Sequence, residues 1–360
     1  AYEIVIGDWS SDVCSSDLGD EMASLKDIAR ELGVSTATVS KALNDLPDIS
    51  EETKQLVKEK AKEMGYFPNL AARALKTHRS YNIGVLCVDD KNSALTHPFF
   101  SRVLESLKSE AEALGYDITF IGQRLGKENM SYVEHCRYRG VDGVVVACVD
   151  FSKPEVIELI SSGLPVVTID HIFSNAASVV SDNAEGITEL MEYIISMGHR
   201  KIAYIHGRDS AVTKERMVNF YRSMERHGIP VEEDCVVQGE YTDPVAAAKA
   251  TKKLLRLKNP PTCIIYTDDY ACIGGMGAIE EAGLSIPDDI SVAGYDGIPM
   301  SEVVKPRLTT VRQDTEQIGK RTVRKLVALI EKPKTTGVES QCVPVVLEKG
   351  KSIKNLIENP

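Results

Sequence analysis

Ser24-Leu25-Lys26-Asp27-Ile28-Ala29-Arg30-Glu31-Leu32-Gly33-Val34-Ser35-Thr36-Ala37-Thr38-Val39-Ser40-Lys41-Ala42-Leu43-Asn44 is the stretch around which the chain is organised. Leu25, Ile28, Ala29 and Leu32 fall at i, i+3, i+4 and i+7, one face of a helix. Ser24 stands where an N-cap belongs, with Asp27 three residues on, near the positive end of the helix dipole. Gly33 ends that helix, because glycine enters left-handed backbone at little steric cost. Ser35 then caps a second helix whose apolar face is Val39, Ala42 and Leu43. Two short helices joined through a glycine turn read as a helix-turn-helix. Thr36, Ala37, Ser40, Lys41 and Asn44 are left outside, small and polar groups suited to a DNA major groove. Spacing alone would equally allow an ordinary pair of surface helices.

The wording goes beyond spacing. From Leu25 to Asn44 the sequence resembles, almost residue for residue, the N-terminal headpiece of LacI-family bacterial transcription regulators, and the resemblance continues over nearly all the chain from Met22 onward. It implies base readout by Thr36, Ala37, Ser40 and Lys41, with Ser35 and Lys54 on the DNA backbone.

The bulk composition is that of a soluble globular protein of two or three domains: 360 residues, 43% hydrophobic and 26% charged. The longest apolar runs, such as 144–149, are strand-length and too short to cross a membrane. A net charge of −11 is unexpected for a nucleic-acid binder, but it is unevenly spread. Residues 1–21 carry six acids and no base, whereas residues 22–80 carry ten Lys and Arg against eight Asp and Glu. An acidic body with a mildly basic end is compatible with DNA binding through that end. The eight cysteines include no C-x-x-C pair, and Cys87, Cys148 and Cys263 lie in apolar runs, so buried reduced thiols of a cytoplasmic protein are expected. Residues 1–21 resemble the translation of a sequencing-adapter oligonucleotide, with Met22 as the natural start; they lack the basic start and apolar core of a signal peptide. They are expected to be disordered and without function.

After the second helix a loop, 45–49, is punctuated by Pro47. Ser50 starts a third helix, from which Leu56, Val57, Ala61 and Met64 would pack on the first two; Gly65 ends it, and Tyr66 and Phe67 close a small core over residues 22–67. Residues 68–80 form a linking segment in which Asn69 can cap a helix through Leu75, too short to hold alone in water. A plain linker is the simpler reading. The family resemblance implies a hinge helix that orders when two copies pair over an operator, with Leu75 as a minor-groove wedge and Asn69, Arg73 and Lys76 on the DNA backbone.

From Tyr81 strands and helices alternate. Strands are expected at 82–88, 116–121, 144–149, 165–169, 177–181, 201–206, 235–238, 262–266 and 290–294; helices at 99–114, 128–138, 154–162, 184–197, 213–227, 244–257 and 269–283. Such alternation indicates parallel sheets covered on both faces. The fold class is therefore a small all-α helix-turn-helix headpiece followed by an α/β core. By resemblance the core, 81–350, is a two-lobed periplasmic-binding-protein-like unit that binds effector and dimerises. Its first lobe is 82–182 with 314–341, its second is 183–312 with 343–350, and 351–360 is a tail.

Ligands of open parallel sheets lie beyond the carboxyl ends of the strands. There the sequence places Phe99, Phe100, Asp170, His171, Asp209, Ser210, Arg216, Tyr266, Asp268, Asp269, Tyr295 and Asp296. Aromatic faces, carboxylates and one guanidinium suit a polyhydroxylated small molecule. The resemblance implies that Arg216 and Asp296 grip a sugar or nucleobase effector, with Asp170 and Phe100 matching less specific lining positions; Phe99, Tyr266 and Asp268 complete the candidate set. Asp268 and Asp296 could instead cap following helices, and Phe99 and Phe100 could be core. A metal site on Asp268, Asp269 and Asp296 is a minor alternative, since no His or Cys joins them; no cofactor or metal is expected. The run 273–277 lacks the ending of a phosphate loop, and His199 is expected to be structural. Ser210, His206 and Asp209 are neighbours in sequence, which does not make a triad.

These readings converge on a homodimeric repressor that binds near-palindromic double-stranded DNA under control of a small effector, a sugar by family frequency, with no membrane attachment. Two rivals are a solute-binding sensor core without DNA function and an α/β enzyme acting on a carbohydrate.

Overall fold

The computed structural model describes residues 23–66, 79–88 and 94–357. Residues 1–21 and the hinge positions Asn69, Arg73, Leu75 and Lys76 lie outside the described residues. The chain divides into two units, 1–78 and 79–360.

In the first unit α1 (Leu25–Leu32) opens with a capping box: Ser24 N donates to Asp27 Oδ2 at 3.0 Å while Ser24 Oγ accepts from Asp27 N. Gly33, at φ +64°, ends it. Helix α2 (Thr36–Leu43) is capped by Ser35, and α3 (Glu51–Glu63) by Ser50. The three helices enclose Ile28, Ala29, Val39, Ala42, Val57 and Ala61, with Leu25, Leu32, Ile49, Met64 and Tyr66 around the edge. Leu56 does not join them. It is 52% exposed, because the buried stripe of α3 runs through Val57 and Ala61, four residues apart, and Leu56 lies one position off that face.

The second unit holds two sheets. The first contains β1 (Asn82–Cys87), β2 (Asp117–Phe120), β5 (Gly143–Ala147), β6 (Val166–Ile169), β7 (Ala177–Ser181) and β13 (Ser340–Val343), in the order β13-β7-β6-β5-β1-β2, all parallel. One face is covered by α4 (Pro98–Ala113) and α12 (Thr315–Glu331), the other by α5 (Tyr132–Arg139) and α6 (Pro154–Ile160). The inner strands β1, β5 and β6 are buried on both sides for that reason. Helix α5 starts four residues later than its sequence pattern indicates: a Ser131–Glu134 capping box fixes its start, and a two-rung hairpin, β3 (Arg124–Leu125) with β4 (Glu128–Asn129), precedes it.

The second sheet runs β11-β10-β8-β9, from β8 (Ile202–His206), β9 (Val236–Gln238), β10 (Cys263–Ile265) and β11 (Ser291–Ala293). Helices α7 (Asn183–Ser196) and α8 (Ala211–Arg226) pack on one face, α9 (Pro244–Leu255) and α10 (Asp269–Glu281) on the other, with α11 (Met300–Val303) a single turn. Beside it β12 (Thr310–Gln313) pairs antiparallel with β14 (Val345–Glu348) and bridges back at Ala293–Thr309 and Asp296–Arg312. The chain passes between the sheets three times, at Asp182, at Asp314 and at Pro344. The returning segment stays with the first sheet to Val343.

Residues 351–357 are bound into the second sheet's side. Val292 N donates to Ser352 O, Lys354 N donates to Ser291 Oγ, and Leu356 N donates to Met197 O. His199 bridges Thr262 Oγ1 and Lys354 O, and burial lowers its pKa to about 4, so it serves as a neutral strut.

Candidate effector cleft and DNA-facing surface

Arg216 sits in the middle of α8 with 3% of its surface exposed. Its Nε donates to Asn183 Oδ1 at 2.8 Å and Nη1 to the Thr267 carbonyl at 3.1 Å, and Cζ lies 3.4 Å from the centroid of the Tyr295 ring. Burial works against its charge, but Tyr295, Tyr241 and Asp296 around it hold its pKa above the ordinary value. The guanidinium is fixed from three elements at once, α7, the end of β10 and the end of β11.

Two carboxylates face it from opposite sheets. Asp170 follows β6 with φ +61°, and Asp296 follows β11 with φ +98°. Left-handed backbone at a non-glycine residue costs about 1–3 kcal/mol and clusters at functional sites. Loss of water pushes Asp170 up to about 6 despite Arg216, and burial with the nearby Asp268 charge pushes Asp296 up to about 7. Asp296 Oδ1 accepts from Gln313 Nε2 at 2.7 Å, and Gln313 Oε1 is buried without a hydrogen-bond partner among the described residues. Phe99, Asp296 and Gln313 line a cavity of about 120 Å³ with Arg102 and Arg312, between the first helix of one sheet and the crossing at Asp314.

The remaining candidates divide. Phe99 is 4% exposed and belongs to the first sheet's core while touching that cavity; Phe100 is half-buried against it, edge-on to Phe99 at 5.1 Å. Asp268 is a helix cap: Oδ1 accepts from Ala271 N, and Oδ2 accepts from Thr242 N and Thr267 Oγ1, which occupies both oxygens. Tyr266 turns away from the cleft. Its ring packs under α9 and α10 and its hydroxyl bonds Thr251 at 2.8 Å, because one residue past β10 it shares the covered face with Ile264, two positions back. Asp269 is structural too, accepting from Thr310 Oγ1 at 2.5 Å and Ile298 N at 2.9 Å. Ser210 caps α8 through Thr213 N, and His206 Nδ1 pairs with the Gly207 carbonyl, so no triad forms. Among the described residues no group of three or more His, Cys, Asp and Glu side chains could hold a metal.

Sequence reasoning missed Asn183, Gln313 and Tyr241. Asn183 and Gln313 flank the crossings at Asp182 and Asp314 and carry no strand-end signature. Tyr241 bonds Thr213 Oγ1 at 2.9 Å, and its ring lies over Gly207, where a Cβ would approach it to 2.1 Å; that glycine was the available signal. A larger groove of about 420 Å³, lined by Arg200, Lys201, His227 and Glu232, lies at the opposite, amino-terminal end of β8. Its Lys201 is paired with Glu232 at 2.8 Å and Arg200 with the Ile195 and His199 carbonyls, leaving its cations satisfied.

On the headpiece Thr36, Ala37 and Lys41 are exposed and Ser40 half-exposed, side by side on the outer face of α2. Ser35 Oγ is engaged by Thr38 N at 3.0 Å as a cap. Lys54 is not poised for a phosphate: its side chain is 8% exposed and Nζ donates to Glu51 at 2.6 Å.

A helix-turn-helix unit ahead of a two-sheet core with a charged cleft at the strand ends defines a ligand-regulated DNA-binding protein. Residues 24–69 match the bacterial regulatory proteins of the lacI family, and residues 81–349 match the periplasmic binding proteins and sugar binding domain of the LacI family. The chain belongs to the LacI family and is a DNA-binding transcriptional repressor. It is 32% identical over 318 residues to a probable HTH-type transcriptional repressor, ExuR, of Bacillus subtilis (strain 168), covering 87% of this chain and 93% of that one. A lac repressor dimer bound to operator and the anti-inducer ONPF superposes with a TM-score of 0.75 at 26% identity, over 92% of this chain and 99% of that one. A LacI-family regulator from Enterococcus faecium with bound ribose superposes at 0.65 and 26% identity, over 76% and 99%. Family membership sets aside both the DNA-free sensor and the carbohydrate enzyme. No helix among the described residues is long and apolar enough to cross a membrane.

Proposed function

We propose that the protein is a homodimeric cytoplasmic repressor that binds a near-palindromic operator and is released by a neutral polyhydroxylated effector, a sugar. The observation that carries the effector class is the convergence of half-buried Asp170 with buried Arg216 and Asp296, beside the open acceptor of Gln313. Carboxylates accept from hydroxyls, and the guanidinium fork donates to them. Two carboxylates against one guanidinium disfavour an anionic ligand, since a further buried negative charge would lack a partner. The two carboxylates belong to different sheets, so a ligand held by both has differential affinity for the closed arrangement, and that difference shifts the DNA-binding equilibrium.

On this reading Thr36, Ala37, Ser40 and Lys41 read bases, while Leu75 wedges the minor groove with Asn69, Arg73 and Lys76 on the backbone. Residues 1–21 take no part. The test is a thermal-shift screen of residues 22–360 against neutral sugars, sugar acids and nucleobases. A shift with a neutral sugar, and operator release by the same compound, is expected. Selective response to a sugar acid or nucleobase would overturn the effector class. Leu75→Ala should weaken binding to a palindrome selected from random duplex DNA and leave the sugar shift intact; unchanged DNA affinity removes the wedge role.

A further inference from the structure

The DNA-facing unit cancels its own charge. Residues 23–66 hold seven Lys and Arg against eight Asp and Glu, and five of those bases are paired to a carboxylate of the same unit. Three pairs, Arg30–Asp27, Lys54–Glu51 and Lys60–Glu63, are one-turn contacts within a helix. The other two are not. Lys41 Nζ meets Asp48 Oδ2, and Lys58 Nζ meets Asp45 Oδ1, at 2.5 Å in each. Both acids lie in the loop that follows α2, and they hold lysines from two different helices. Asp45 does so from left-handed backbone at φ +54°. All four side chains are about half exposed, so each pair can open into solvent.

We propose that Asp48 and Asp45 compete with DNA phosphates for Lys41 and Lys58, holding down the unit's affinity for DNA of arbitrary sequence. This rests on the reading that the outer face of α2 meets DNA, and for the second pair that Lys58 of α3 lies within reach of the same duplex. A lysine ammonium is a point charge on a flexible stem, and one carboxylate already occupies it. On DNA of arbitrary sequence the ammonium exchanges that carboxylate for a phosphate, so only the difference is gained and the freed acid stays beside a polyanion, whereas at the operator Lys41 exchanges it for a base edge. Sequence-independent binding is essentially all of this electrostatic kind, whereas operator binding also draws on base-edge hydrogen bonds. The clamps therefore suppress random-site binding more than operator binding. Between 67 and 80 the sequence carries Arg73, Lys76 and Arg79 and no acid, and of these Arg79 is paired with Glu331 of the core.

The full chain is titrated onto a labelled random-sequence duplex at two salt concentrations. Asp48→Asn should tighten binding by up to about fivefold, the reach of an exposed ion pair, and steepen the salt slope by about one counterion. In a Lys41→Ala background the same substitution should change nothing. Unchanged or weaker binding by Asp48→Asn overturns the proposal, the latter because Asp48 would then be positioning Lys41 for DNA. An equal gain in the Lys41→Ala background also overturns it, since the effect would be bulk charge. If Lys41→Ala weakens binding while Asp48→Asn does nothing, only the competitor role fails; if Lys41→Ala has no effect, the reading of this face fails with it. Asp45→Asn with Lys58→Ala repeats the cycle independently.

Discussion

The Arg216 guanidinium carbon lies 3.4 Å from the centroid of the Tyr295 ring, while its Nε bonds Asn183 across the crossing between the two sheets. Ring, amide and carbonyl thus fix the fork in one orientation before any ligand arrives, and desolvation makes each of those contacts count for more than it would in water.

That arrangement separates two substitutions. Arg216→Lys keeps the charge but loses the planar fork, so effector affinity should fall about 10- to 100-fold with the fold retained. Arg216→Leu also strips Asp170 and Asp296 of their shared cation, and breaking such a buried set costs about 3–5 kcal/mol. Calorimetric titration with the effector and thermal melts of both variants check this. Equal stability of the two variants would contradict it.

The same carboxylates set a pH dependence. Asp170 at about 6 and Asp296 at about 7 are raised above their unfolded values, so the folded state binds more protons than the unfolded one between about pH 4 and 7. Their contribution to stability is complete below the unfolded pKa and is lost as pH rises through 6–7. Melting temperature of the ligand-free protein should therefore fall over that window, and less so in Asp296→Asn. Effector hydroxyls donate to the ionised carboxylates, so affinity should rise over the same window with release of protons, read by titration in buffers of different ionisation enthalpy.

Much of this was legible beforehand, and the gaps have physical causes. The caps Ser24, Ser35 and Ser50 and the turn at Gly33 are local hydrogen-bond and φ requirements, written where they act. The alternation of buried strands and amphipathic helices is a local pattern as well. What escaped was set by distant partners. Tyr266 follows a strand end and Arg216 lies inside α8, and each is oriented by a partner far off in sequence: Tyr266 by Thr251 on α9 and Arg216 by Asn183 on α7. Asp268 and Asp296 look alike in sequence. One has both oxygens taken up by Ala271, Thr242 and Thr267; the other sits at φ +98° with Gln313. Lys54 reads as a surface cation and is buried by the packing of α3.

Glycines in α10 should behave oppositely on substitution. A Cβ at Gly274 would lie 2.1 Å from the Pro244 carbonyl oxygen, where α9 crosses closely, whereas a Cβ at Gly277 meets nothing within 4 Å. Gly277→Ala should stabilise by about 0.5–1 kcal/mol through helix propensity and a less flexible unfolded chain. Gly274→Ala must push backbone apart and should destabilise by about 1–3 kcal/mol. Chemical denaturation of the two variants tests the pair, and the same sign for both would refute the packing argument.

Ser352 links the C-terminal residues to the strands that carry the cleft. Its Oγ donates to the Val292 carbonyl at 2.7 Å and accepts from Thr309 N at 2.8 Å, fully buried. Ser352→Ala leaves the Thr309 N–H without that acceptor at the entrance to β12, a loss of about 1–3 kcal/mol. Thr309 and Val292 lead directly into the segments that present Gln313 and Asp296, so effector affinity should drop along with stability. Ser285→Ala, at an exposed serine whose hydroxyl bonds Asp289, removes a surface contact and should change stability by less than about 1 kcal/mol with effector affinity unchanged. Denaturation and effector titration on both variants decide the matter. A Ser352→Ala protein that melts lower yet binds effector normally would show that the C-terminal residues brace the sheet without setting the geometry of the cleft.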